Sequence, residues 1–159
     1  FLCGGDAEVL IWNRQWDRHK KDPSALEYDL MLAPHHCSWH SLSYDSWSDK
    51  GEDAKLDVDA RKALSQTRSG AAIVASCKPI KDDDSDPPCI RAKREYTSIV
   101  DKVVGNFYCT GEYPKAGEEE PMVFTVTSQG VAMAQRREAG SKAAAFTSTT
   151  LTPLPHGAV

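Results

Sequence analysis

The run Asp29-Leu30-Met31-Leu32-Ala33-Pro34 constrains this chain more than any other stretch. Leu30 to Ala33 is too short for an independent helix but suits a buried strand, and Pro34 ends the ladder because it has no N–H to give. Directly beyond it come His35, His36 and His40, three imidazoles in six residues at what must be the carboxyl edge of a sheet. In open α/β sheets that edge houses ligands, because loops there vary while the strands hold position. Histidine ionises near neutrality, so the cluster points to proton transfer or metal ligation, against the plainer alternative of a histidine-rich surface loop.

The opening residues strengthen the chemical reading. Phe1-Leu2-Cys3 is an apolar strand remnant, Gly4-Gly5 permits a tight turn, and Asp6-Ala7-Glu8 places a carboxylate just before a helical pattern. Strand, glycine, acid, helix, strand, histidines is the ordering of a metal site, in which one carboxylate bridges two divalent ions and imidazoles close the coordination or move protons beside it.

Gly5-Asp6-Ala7-Glu8 followed some thirty residues later by Pro34-His35-His36-Cys37-Ser38 resembles the second half of a metallo-β-lactamase-fold hydrolase, in the branch that includes the metal-dependent domain of the competence protein ComEC. That branch reads Gly-Asp-Ala-Glu, then a strand ending His-His-Gly-Ser, then a strand followed by Gly-His-Pro. Cys37 stands in place of the family glycine. After the strand Ile73-Val74-Ala75-Ser76 the third segment reads Asp82-Asp83-Asp84-Ser85-Asp86-Pro87-Pro88, with Asp86 about where the family histidine falls. The resemblance spans 1–126. The His-x-His-x-Asp-His motif of the family's first half is absent from these residues, so the chain looks like half a domain.

The totals set outer bounds. At 159 residues, with 40% hydrophobic and 26% charged, there is room for one globular domain with a real core. The net charge of −4 argues against tight nonspecific nucleic-acid binding, which depends on neutralising phosphates, but leaves room for a nuclease with a local basic strip or bound cations. Cys3, Cys37, Cys77, Cys89 and Cys109 are odd in number and contain no CxxC pair, so free buried thiols in a reducing compartment are expected, and a cytoplasmic setting with them. Cys37 alone sits among the histidines, where contact with metal or substrate is an open alternative. No apolar run approaches the ~18 residues that span a bilayer, and the start has no secretory signal pattern. Because the chain opens in mid-strand, an exposed edge there calls for residues before Phe1 or a partner chain.

Along the rest of the chain, the spacing of Val9, Leu10, Trp12 and Trp16 predicts a helix over 8–20, with the tryptophans on the sheet. Residues 28–33 form the strand described above. The loop 38–49 carries Trp39, Tyr44 and Trp47 among serines and is read as a pocket wall rather than as rings folded back over the sheet edge. A weak helical pattern begins over 58–64 and is expected to end near Gly70, and Asp57 and Asp59 beside it have nothing to fix them near the histidines. Ala71 to Ser76 reads as a central strand and 82–86 as an acidic loop with one inward acid, followed by a helix over 89–104 stopped by Gly105. Arg91, Lys93 and Arg94 read as solvent-facing helix charges. A strand at 106–110 and a hairpin of 122–127 with 131–134 complete the pattern. Residues 136–159, rich in Ala, Ser, Thr and Pro and carrying His156, read as an irregular or docking tail.

The expected fold is therefore α/β, specifically half of a metallo-β-lactamase-type αβ/βα sandwich with a mixed sheet flanked by helices, occupying 1–135. The expected function is metal-dependent hydrolysis of a phosphodiester or other ester. As the resemblance implies, Asp6 and Asp86 would be the metal ligands, for zinc or manganese, and His35 and His36 the proton-transfer groups. Ser38, Trp39 and His40 are expected to line the substrate. The missing half of the site would come from an upstream segment or a separate chain, and an oligomer is compatible with the pattern. The rival is a catalytically degenerate module of the same type retained for binding. The Asp86 and Cys37 replacements lean toward that alternative.

Overall fold

The computed structural model describes residues 1–127 and 130–134. Four strands, β1 (Leu2–Cys3), β2 (Tyr28–Leu32), β3 (Thr67–Ala75) and β4 (Asn106–Cys109), form one wholly parallel sheet in the order β1-β2-β3-β4. The helices lie between them: α1 (Val9–His19) after β1, α2 (Trp47–Lys50) and α3 (Val58–Leu64) after β2, and α4 (Ile90–Asp101) after β3. Strands β5 (Phe124–Thr127) and β6 (Gly130–Met133) make a separate antiparallel pair. The expected mixed sheet is thus corrected to a parallel sheet plus a detached hairpin.

Strand order following chain order explains the layering. Crossovers between parallel strands are right-handed, so three crossovers stepping in one direction deposit their helices on one face. Alternate residues of β3 show it. Ala71, Ile73 and Ala75 join the large core with Val9, Trp12, Leu64, Ala92, Tyr96 and Val100 from the helices. Ala72 and Val74 point the other way and pack, with Leu30 and Leu32, against Tyr108, Met122, Phe124 and Val131. The hairpin therefore covers the face that the helices leave bare.

Local chemistry fixes the helix ends. The Trp12 indole donates to Ala7 O at 3.0 Å, folding the first turn of α1 onto the sheet, while Trp16 is half-buried under Lys62. Asp57 caps α3 by accepting from Asp59 N and Ala60 N, and its other oxygen takes the Asn13 amide of α1. That carboxylate has a structural post. At the end of α4 the left-handed residue is Val104, with φ 55°, rather than Gly105. Gly105 is required for space, since a Cβ there would lie 2.1 Å from Ala71 O. No helix among the described residues is long and apolar enough to cross a membrane. The expected tail, 136–159, lies outside the described residues.

Candidate functional site

Three strand ends meet at the carboxyl edge of the sheet. Gly4 N donates to Leu32 O (3.3 Å), Ala33 N to Val74 O (2.8 Å) and His35 N to Gly5 O (2.7 Å), so the turn after β1 and the loop after β2 are bonded together. A Cβ on Gly4 would stand 2.6 Å from the Pro34 ring, which makes glycine a requirement of this approach. Cys3, Gly5, Asp6, Leu32, Ala33, His36 and Ser76 line the resulting cleft of about 200 Å³. Drug-sized ligands occupy roughly 300–1,000 Å³. The cleft suits a phosphoryl group or a hydrated ion better than a whole organic cofactor.

Within it, His36 is oriented by the backbone. Its Nδ1 lies 2.8 Å from Ser76 O, and a carbonyl only accepts, so Nδ1 is the donor and Nε2 is left facing away from that bond. An imidazole pinned in this way is suited to taking a proton or binding a cation through Nε2. Asp6 shares the cleft and is exposed.

The loop achieves this with unusual backbone. His35, His36 and Cys37 have φ of 45°, 55° and 69°, three successive non-glycine residues in left-handed conformation, each at a cost of about 1–3 kcal/mol. Bonds on both sides hold them: Cys37 N to Pro34 O (3.0 Å), Ser38 N to His35 O (3.0 Å) and Cys89 N to Cys37 O (3.0 Å). The Cys37 side chain is buried, and burial, with three other thiols nearby, pushes its pKa well above the ordinary value. Fully buried and outside the cleft lining, Cys37 packs the loop down.

The other expected site residues divide. His35 does not line the cleft: its Nδ1 is enclosed without a hydrogen-bond partner, 3.8 Å from Glu8 Oε1. Ser38 and Trp39 have no exposed surface, which corrects their assignment to a substrate-facing wall. Trp39 instead packs edge-on to Trp47 with Arg91 over its face, and Ser38 Oγ accepts from His40 N. The expected pocket wall is core, with only Tyr44 of its three rings exposed. His40 is half-buried and does not line the cleft. Asp86 is the inward acid of its loop, but its Oδ1 accepts from Trp39 N at 3.0 Å and it does not reach the cleft wall that holds Asp6. The aspartates at 82, 83 and 84 face solvent.

A catalytic zinc takes three protein ligands. The cleft is lined by the metal-capable side chains of Cys3, Asp6 and His36, yet among the described residues no group of three or more His, Cys, Asp or Glu side chains is placed to hold a metal ion. These residues alone do not fit a complete metal centre. Sequence reasoning missed Ser76, whose contribution is a backbone carbonyl and leaves no side-chain signature, and Glu8, whose spacing from Asp6 was visible within the opening motif.

No family model matches this chain, and neither a curated protein nor a solved structure does so.

Proposed function

We propose that the cleft is one wall of a hydrolytic site for a phosphodiester or related ester, completed by cation-binding groups from outside the described residues, in an upstream segment or a separate chain. The observation that supports this reading is the convergence of Asp6 and His36 on one cleft at the ends of three parallel strands. His36 Nε2 would take a proton from the attacking water or return one to the leaving oxygen. Asp6 would hold that water. A bare carboxylate repels an anionic phosphodiester, so turnover should require an added divalent cation to reverse the local sign.

A sheet with helices on one face only is compatible with half of the αβ/βα sandwich that the motifs suggest. The want of a three-ligand group among the described residues also favours a second reading, a degenerate site retained for binding. The test is Mn²⁺ or Zn²⁺ binding by equilibrium dialysis, together with hydrolysis of an aryl phosphodiester. The chain alone should bind one ion weakly and turn over slowly, and Asp6→Asn and His36→Ala should each weaken binding by at least roughly tenfold and remove turnover. Tight two-ion occupancy that survives Asp6→Asn would refute the reading, and weak binding with no turnover at all would leave the binding module in its place.

A further inference from the structure

Four of the five cysteines come from the carboxyl ends of β2, β3 and β4 and from the start of α4. Two of them touch. Cys77 Sγ lies 3.6 Å from Cys109 Sγ, and the backbones that carry them are locked together: Cys77 N donates to Thr110 Oγ1 (3.1 Å), and Gly111 N donates to Cys77 O (3.0 Å). A Cβ on Gly111 would meet Cys77 O and Pro79 N at 2.7 Å, so glycine is what lets the two segments lie this close. Cys109 pairs in register with Ala75, and Cys77 lies two residues beyond it, so the approach rests on the turn that brings the two sulfurs into contact. The sulfurs need to close by only about 1.5 Å to reach bonding distance.

We propose that Cys77 and Cys109 are a reversible redox-modification site, forming an intramolecular disulfide on exposure to a low-molecular-weight disulfide oxidant. The two thiols are unequal in access. Cys77 is partly open to solvent, whereas Cys109 is 3% exposed. The Cys77 thiolate attacks glutathione disulfide, forming a Cys77–glutathione bond and releasing one glutathione thiolate. The Cys109 thiolate then attacks Cys77 Sγ and releases the second. Two protein thiols lose two electrons and two protons, and the oxidant leaves as two molecules of glutathione. Cys3 sits on β1, two strand spacings (roughly 10 Å) from β3 and three (roughly 14 Å) from β4. The direct Sγ–Sγ contact with Cys109 is what favours this pairing over Cys37 and Cys89, which are fully buried.

The bond would also bear on the cleft. Ser76, whose carbonyl holds His36, immediately precedes Cys77, so the cross-link would clamp the strand end that orients the imidazole. The redox site itself stands on its own geometry and does not depend on hydrolysis.

Burial, with Cys109 beside it, holds the Cys77 thiol up to about 12, so little thiolate exists at neutral pH. Oxidation should be slow and should accelerate about tenfold per pH unit from 7 to 9 without levelling off. The experiment is incubation of the intact chain with glutathione disulfide, followed by peptide mass spectrometry without reduction. A Cys77–Cys109 peptide in about tenfold excess over other pairings, reversed by dithiothreitol, is expected. Cys109→Ser should divert Cys77 to a mixed disulfide with glutathione. Should that buried substitution fail to fold, Cys3→Ser in the otherwise intact chain should leave the Cys77–Cys109 yield unchanged. Glutathione on Cys3 alone, or pairing of Cys77 with Cys37 or Cys89, would each overturn the proposal.

Discussion

Among the described residues, two places force non-glycine residues into left-handed backbone, and they are held in opposite ways. At Val104 the side chain is 88% exposed and the turn does nothing but end α4. At His35-His36-Cys37 three residues in a row are strained, and buried neighbours lock the strain in place: Cys37, Ser38 and Trp39 have no exposed surface, Cys89 N bonds Cys37 O and Asp86 bonds Trp39 N. The first is a local cost that the fold tolerates. The second is over-determined by its surroundings, and its product is an exposed imidazole fixed against Ser76 O. Strain maintained by so much buried structure is what a site needs when a side chain must be aimed rather than packed.

The comparison breaks most visibly if its anchor is removed. Trp39→Ala should cost about 3–5 kcal/mol in denaturant unfolding, because the indole fills the core between Trp47 and Arg91. A cost below about 1 kcal/mol would mean that the ring is not core. Asp86→Ala should cost about 1–3 kcal/mol by stranding the buried Trp39 N–H, with no larger effect on ion binding than on stability. If Asp86→Ala abolished Mn²⁺ binding in a chain that is still folded, the metal-ligand assignment would be restored.

Val104→Gly sharpens the contrast from the other side. It should stabilise by about 1 kcal/mol, since the left-handed penalty disappears and almost no packing is lost. His36→Gly should leave stability within about 0.5 kcal/mol, because relief of strain offsets the lost bond to Ser76 O, while cleft function disappears. Thermal melts of the two variants beside the parent measure both.

The buried thiols add a dependence on pH. Cys37, Cys77 and Cys89 are all raised from an ordinary 9.0, Cys89 to about 11 and Cys77 to about 12, chiefly by burial. Above pH 9 the unfolded chain loses these protons while the folded chain keeps them. Their stabilisation is thus complete below pH 9 and is lost as the pH rises through 11 and 12. Urea midpoints should be flat from pH 7 to 8.5 and fall beyond 9; a rise above pH 9 would contradict the burial.

The sheet and helices were readable because their signals are local. The proline-terminated run marks β2, the all-apolar Ala71–Ala75 marks only the buried carboxyl half of β3, whose exposed polar start from Thr67 carries no strand signal, and the spacing of Ala92, Tyr96, Ile99 and Val100 marks α4. The strand-end meeting of Asp6 with His36 was readable too, since parallel strands deliver their following loops to one edge. Trp39 was not. Its loop reads as a pocket wall rather than as rings folded back over the sheet edge, yet Ser41 Oγ donates to Pro34 O and Ser43 Oγ to Lys55 O, so these serines satisfy the backbone and let the loop sink into the core. Asp86 failed for a related reason: an inward acid was visible, but whether it meets a cation or a backbone N–H depends on a loop 47 residues away in sequence. The cysteine pair has no local spacing at all and exists only through the topology.

The most direct test of the central claim, that Asp6 and His36 face one cleft, is a Mn²⁺ titration followed by NMR of the imidazole nitrogens and carboxylate carbons. Paramagnetic broadening should reach His36 Nε2 and the Asp6 carboxylate together at the lowest Mn²⁺, with the ring of His19 last. Broadening that begins at Asp82, Asp83 and Asp84 while His36 and Asp6 stay sharp would contradict it.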